Sequence, residues 1–179
     1  NMFNQEMAET GIGKPVTQKI RKITKPDFPL AIYDTPGLEL SGKNAINSLL
    51  EEVISEIDNG IKSGDIGKAI HSIWYCISTP SHRFEQTEID FLKEFLGKTN
   101  EYDVPVIVVL TQSYSKNDAK ALRGEIEKEN LAVANIVPVL AENYDINEEY
   151  TAKAYGLDTL SEVMNSVIPD AVRKTFIAV

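Results

Sequence analysis

Residues 104–110 read VPVIVVL, seven positions without one polar side chain. A strand with one wet face would alternate apolar with polar; this one must be buried on both faces, and strands of that kind belong to parallel sheets covered by helices on each side. Pro105 stands near the start of the run, where a missing ladder donor is tolerated. Residues 70–77 (IHSIWYCI) form a second such run, in which Trp74 and Tyr75 point to opposite faces and each packs under a helix. Around these two strands the elements alternate. Residues 29–34 (PLAIYD) read as a short strand ending in an acid, and residues 44–61 carry Ile46, Leu49, Leu50, Val53, Ile54, Ile57 and Ile61 along one helical stripe. Residues 84–96 read as a helix that Gly97 stops, residues 116–130 as a polar helix and residues 134–140 as a strand. Residues 157–168 read as a helix that Pro169 breaks before a short final one. Strand followed by helix, repeated, predicts one three-layer α/β/α domain over residues 1–179 with a mostly parallel sheet. In such sheets ligands bind beyond the carboxyl ends of the strands, so the residues just after each strand carry the functional weight.

Composition narrows the classes further. The chain has 179 residues, and 18 Lys+Arg against 27 Asp+Glu give a formal charge of −9, which argues against a broad nucleic-acid surface. A single cysteine, Cys76, forms no internal disulfide and reads as buried packing, so a reducing, cytoplasmic setting is the expectation. No apolar run approaches membrane-spanning length and no secretory signal is visible. No His, Cys and Glu spacing suits zinc, and no nucleophile-elbow pattern occurs. His71 reads as a satisfied structural histidine, and His82 and Arg83 as loop residues.

At the end of the first strand stands Asp34-Thr35-Pro36-Gly37. An Asp at a strand tip can hold Mg²⁺ through its water shell, and a glycine lets a backbone N–H approach a terminal phosphate. Upstream, Gly13-Lys14 is not a P-loop: Ala8 stands where its first glycine belongs, and Pro15 where Ser or Thr must follow the Lys. That segment offers Thr17 instead, 17 residues ahead of Asp34, with a hydroxyl for Mg²⁺ and an N–H for phosphate. Thr111-Gln112-Ser113-Tyr114 and Ala141-Glu142-Asn143 follow two of the later strands and would flank a base lying across the sheet edge.

Taken together, Pro15-Val16-Thr17, Asp34-Thr35-Pro36-Gly37, the Thr111 loop and the Leu140-Ala141-Glu142 loop resemble a P-loop GTPase domain of the translation-factor-related class, specifically the bacterial Era/TrmE-like group. The stretch IHSIWYCISTPSHRFEQTEIDFLKEF with VVLTQSY is similar to a subgroup bearing a C-terminal domain of unknown function, and the likeness covers nearly the whole chain. It implies Ras-like topology and a switch that binds GTP or GDP with Mg²⁺ and hydrolyses GTP. Thr17 would be the switch I threonine, Asp34 the switch II aspartate and Gly37 the phosphate-sensing glycine. Thr111 and Gln112 would stand for the usual Asn-Lys, Ala141 for the backbone N–H that meets the guanine carbonyl, and Glu142 beside it.

Three departures qualify the likeness. Tyr114 occupies the place of the guanine-reading Asp. Loss of two charge-assisted bonds at ~1.5–3 kcal/mol each lowers base discrimination roughly 10²- to 10⁴-fold unless Glu142 or Asp118 substitutes. Leu38 follows Gly37, where some relatives place a water-orienting Gln, so hydrolysis is expected to be slow or to need an activating protein, a homodimer or an ion; Gln18 is a weak alternative helper. The first strand and the P-loop are missing: Asn1-Met2-Phe3-Asn4 resembles the tail of the helix that follows them, so a chain truncated before Asn1 is expected, binding nucleotide poorly by itself. The run from Pro169 resembles the approach to the subgroup's C-terminal domain, through which any membrane contact would be made. Two other readings stand beside the switch: a degenerate GTPase-fold interaction module that binds no nucleotide, and a receiver- or flavodoxin-like domain, which the lack of clustered acids at the first strand ends disfavours.

Overall fold

The computed structural model describes residues 20–24, 31–35, 42–81 and 84–177, and the chain divides into two compact units, Asn1–Val53 and Ile54–Val179. In the first unit, β1 (Arg21–Thr24) pairs antiparallel with β2 (Ala31–Asp34) from Arg21 opposite Asp34 to Thr24 opposite Ala31. Lys22 and Tyr33 are direct cross-strand partners, and the Lys22 Nζ lies 5.3 Å from the Tyr33 ring centroid. Helix α1 (Gly42–Lys62) begins in this unit, where Leu50 is buried, and ends in the second, where Ile57 is buried.

The second unit is built on a parallel sheet in the order β3 (Ile73–Ser78), β4 (Val106–Thr111), β5 (Asn135–Pro138). The central strand β4 is the all-apolar run, and Val106 to Leu110 are all buried as its composition requires. Registers of Trp74 with Ile107, Val109 with Val137 and Tyr75 with Val108 sort the side chains into two faces. On one face Ile107, Val109, Val137 and Val139 pack against Leu160 of α4 (Leu157–Ile177), with Trp74, Val163 and Met164 around them. On the other face Tyr75 lies 6.3 and 6.4 Å, centroid to centroid, from Phe91 and Phe95 of α2 (Gln86–Glu101). Glu129, which caps the C-terminus of helix α3 (Lys116–Lys128), pairs with Lys93 of α2 at 3.1 Å. Helices therefore cover both faces of the parallel sheet, and Trp74 and Tyr75 are divided between them as expected. The remaining strands, β6 (Tyr144–Asp145) and β7 (Thr151–Ala152), form a small antiparallel hairpin. No helix among the described residues is long and apolar enough to cross a membrane.

Four local expectations are corrected. Gly97 does not stop α2, which runs on to Glu101. A helical glycine costs about 1 kcal/mol against Ala but breaks no hydrogen bond, and the buried Thr99 anchors the next turn. The helix ends where Asp103 turns left-handed (φ 57°) and the Val104 N–H returns to the Thr99 carbonyl at 3.2 Å. Pro169 does not break α4, which continues to Ile177; a proline removes one i→i−4 donor, and the turns on either side carry the helix across. Cys76 is exposed, because the α4 stripe covers Trp74 on the same face and does not extend over it. His71 is only half-buried, yet its Nε2 is enclosed and has no hydrogen-bond partner, so it is not the satisfied core histidine expected of a strand start; β3 begins two residues later.

Candidate functional site at the carboxyl edge of the sheet

Two of the three parallel strands, β3 and β4, end in hydroxyl-bearing residues, each bonded to the neighbouring strand or the loop after it. Ser78 ends β3, and its Oγ donates to the Gln112 Oε1 at 3.0 Å. Thr111 ends β4, and its Oγ1 donates to the Ile77 carbonyl at 3.3 Å. Gln112 then takes a left-handed conformation (φ 52°), which turns the chain sharply enough for the Tyr114 N–H to reach the Gln112 carbonyl at 2.7 Å. Within that turn Ser113 is fully buried. Its N–H donates to the Val139 carbonyl at 3.1 Å and its Oγ to the Leu110 carbonyl at 2.8 Å. The Thr79 Oγ1, also buried, lies 2.9 Å from the Ser113 Oγ. A hydroxyl has one proton, and that of Ser113 is committed to Leu110, so Thr79 donates and Ser113 accepts.

The loop after β5 joins the same junction. The Val139 N–H donates to the Leu110 carbonyl at 2.8 Å, and Leu140 and Tyr155 exchange backbone bonds at 3.0 and 2.9 Å. The Tyr155 hydroxyl donates to the Ser113 carbonyl at 3.0 Å, while the Lys116 Nζ lies 5.0 Å from the Tyr155 ring centroid. Burial pushes the Tyr155 phenol up, which keeps it protonated as a donor. The Tyr114 ring stacks on Tyr144 with centroids 4.1 Å apart. Ser115 caps α3 by accepting the Asp118 N–H at 3.2 Å.

Of the residues singled out from sequence, Thr111, Gln112, Ala141 and Glu142 fall on these two joined loops, with Thr111 half-buried and the other three exposed. Asp34 is the last residue of β2, in the other compact unit, where it stands opposite Arg21. Thr17, Gly37, Gln18, Leu38, His82 and Arg83 lie outside the described residues. Among the described residues no group of three or more His, Cys, Asp or Glu side chains is placed to hold a metal ion. A Mg²⁺ ion on a triphosphate takes most of its ligands from phosphate and water, so one carboxylate such as Asp34 with one hydroxyl suits it chemically. The two candidate substitutes for a guanine-reading acid, Asp118 in the first turn of α3 and Glu142, are both exposed.

Sequence reading passed over Thr79, Tyr155 and the hairpin beyond Asn143. The signal for Thr79 was present, since a hydroxyl just past an apolar strand stands at the ligand edge; nothing local pointed to Tyr155, 42 residues from the group it holds. A cleft of about 330 Å³ at the opposite edge is lined by Val104, Pro105 and Ala134, which precede β4 and β5, and by Asn100, Asp103 and Ser166. It lies at the end of the strands where open α/β sheets do not bind their ligands. No protein-family model matches the chain, and no curated protein matches it.

Proposed function

We propose that this chain belongs to a Mg²⁺-dependent GTP-binding switch of Ras-like topology, with the β4 and β5 loops forming the base side of its nucleotide site. The observation that carries the reading is the bonded junction at the carboxyl edge, where Ser113 joins Val139, Thr79 and Tyr155 and so holds two strand-end loops as one rigid ledge. A base can lie on such a ledge between the exposed side chain of Gln112 and the backbone of Ala141. Thr17 and Asp34 would hold the metal, which when bound offsets phosphate charge during in-line attack by water. Gly37 would sense the terminal phosphate. Leu38 orients no water, so an activating protein, a second copy or an ion is expected to complete hydrolysis.

The test is to place a glycine-rich phosphate loop, as the likeness implies, ahead of Asn1 and measure GTP and ATP affinity by calorimetry. Thr17→Ala and Asp34→Ala serve as controls. The reading expects GTP to bind at least tenfold more tightly than ATP and both variants to weaken it at least tenfold in Mg²⁺; equal affinities would remove guanine from the proposal. A second reading, an interaction module of the same fold without nucleotide, is favoured by one observation: Tyr114, in the base-reading place, stacks on Tyr144 and offers no carboxylate. It expects neither nucleotide to bind.

A further inference from the structure

The described residues include three large apolar side chains that are exposed, and all three fall within seven positions: Tyr144 at 47%, Ile146 at 48% and Tyr150 at 58%. Isolated exposed apolar residues are ordinary on a protein surface, but their concentration in one short segment is not. This segment is also ordered by its own bonds. The Asn147 side chain accepts the N–H groups of Glu149 at 3.0 Å and Tyr150 at 2.8 Å, and the Ile146 N–H closes the turn on the Tyr150 carbonyl at 2.9 Å. Below the turn the Thr151 Oγ1 donates to Asp145, and the Ala154 N–H donates to the Asn143 Oδ1 at 2.9 Å. The Tyr144–Tyr114 stack anchors the base of the hairpin on the β4 loop. Ile146 and Tyr150 are thus held out to solvent on a preorganised frame, so little ordering cost remains to be met on contact with a partner.

Charge selects the partner. From Ala141 to Ala154 the acids Glu142, Asp145, Glu148 and Glu149 face one base, Lys153, a local net charge of 1 − 4 = −3. A second copy of this chain, itself at −9, would be repelled, as would nucleic acid or an anionic lipid surface. We infer that the β6–β7 hairpin is a docking surface for a basic polypeptide segment in which Arg or Lys alternates with apolar residues. The apolar groups would seat on Ile146 and Tyr150 and the cations against Glu148 and Glu149. This interaction is independent of nucleotide and stands whether or not the chain is a GTPase.

The probe is a fluorescein-labelled decapeptide of alternating Arg and Leu, titrated with the full chain at about 0.15 M salt and read by anisotropy, with an alternating Glu and Leu peptide beside it. The Arg-Leu peptide binds and the Glu-Leu peptide does not. Ile146→Ser and Tyr150→Ser each weaken binding at least fivefold, and Glu148→Gln with Glu149→Gln weakens it at least tenfold. Glu51→Gln with Glu52→Gln, exposed acids on α1, changes it less than twofold. Unchanged amide spectra outside residues 141–155 establish that each variant is folded. Failure of the Arg-Leu peptide to bind, equal losses in the α1 variant, or sedimentation showing that the hairpin mediates self-association would overturn the proposal.

Discussion

Ser113 and Thr79 concentrate the polar chemistry of the carboxyl edge into two buried hydroxyls. Ser113→Ala leaves the buried Thr79 hydroxyl without its partner, while the Leu110 carbonyl keeps the Val139 N–H, and a buried group so orphaned costs about 1–3 kcal/mol. A urea midpoint lowered by that free energy divided by the slope, with the slope unchanged, is the expected result. Adding Thr79→Val removes that orphan, so the double variant should lose less than the sum of the singles. His71 makes the fold sensitive to pH. Burial lowers its pKa from the ordinary 6.5, so between the two values the unfolded chain binds more protons. Its contribution is complete above about pH 6.5 and is lost as pH falls through that value toward the folded one. His71→Leu, which also removes the enclosed Nε2 without a partner, should flatten stability over about pH 5–7 as read from urea midpoints. Glu88 has the opposite slope, because burial raises its carboxyl while the Tyr75 hydroxyl donates to it at 3.3 Å. Glu88→Gln keeps that acceptor, removes a half-buried charge and should be at least as stable as the parent at neutral pH, by thermal unfolding. That Thr111, Gln112, Ala141 and Glu142 lie at or beyond the ends of strands was legible because strand ends are local features. The Thr79–Ser113 bond was not, since it joins residues 34 apart through the register of two strands.

Elements show the same division through their glycines. Gly97 is exposed in mid-helix, and an added Cβ would meet nothing within 4 Å. Gly97→Ala should therefore stabilise the protein by about 0.5–1 kcal/mol, by thermal or urea unfolding, through lower entropy of the unfolded chain. Gly156 behaves oppositely: it adopts φ +90°, and a Cβ there would come within 2.1 Å of the Pro138 carbonyl oxygen. Gly156→Ala should cost about 3 kcal/mol or more and loosen the Leu140–Tyr155 bridge that leads into α4, seen as faster amide exchange at both residues. From sequence the two are only a glycine inside a periodic pattern and a glycine before one. Gly97 and Pro169 carried too much weight as punctuation because helix termination depends on which turns are anchored by packing, and a local residue type does not report that.

In the second compact unit as a whole, protection should follow burial. The β4 amides from Val106 to Leu110, hydrogen-bonded to strands on both sides and covered by helices, should exchange slowest among the described residues. Those of residues 141–150, all exposed, should exchange faster than the β5 amides. A hydrogen-exchange profile with β3 or β5 slower than β4 would contradict this arrangement of the sheet. Sequence alone determined that residues 104–110 carry a strand buried on both faces, that residues 70–77 carry a second strand, that helices flank them, and that polar loops leave their carboxyl ends. Each of these follows from side-chain polarity read at a fixed period, and such periodicity is complete within one element. Only the tertiary structure decided that Thr79 and Tyr155 converge on Ser113, that Tyr114 rests on Tyr144, and that Cys76 faces solvent. Those contacts depend on strand register and on where each helix comes to lie, and a one-residue shift in either exchanges the faces without changing any local pattern.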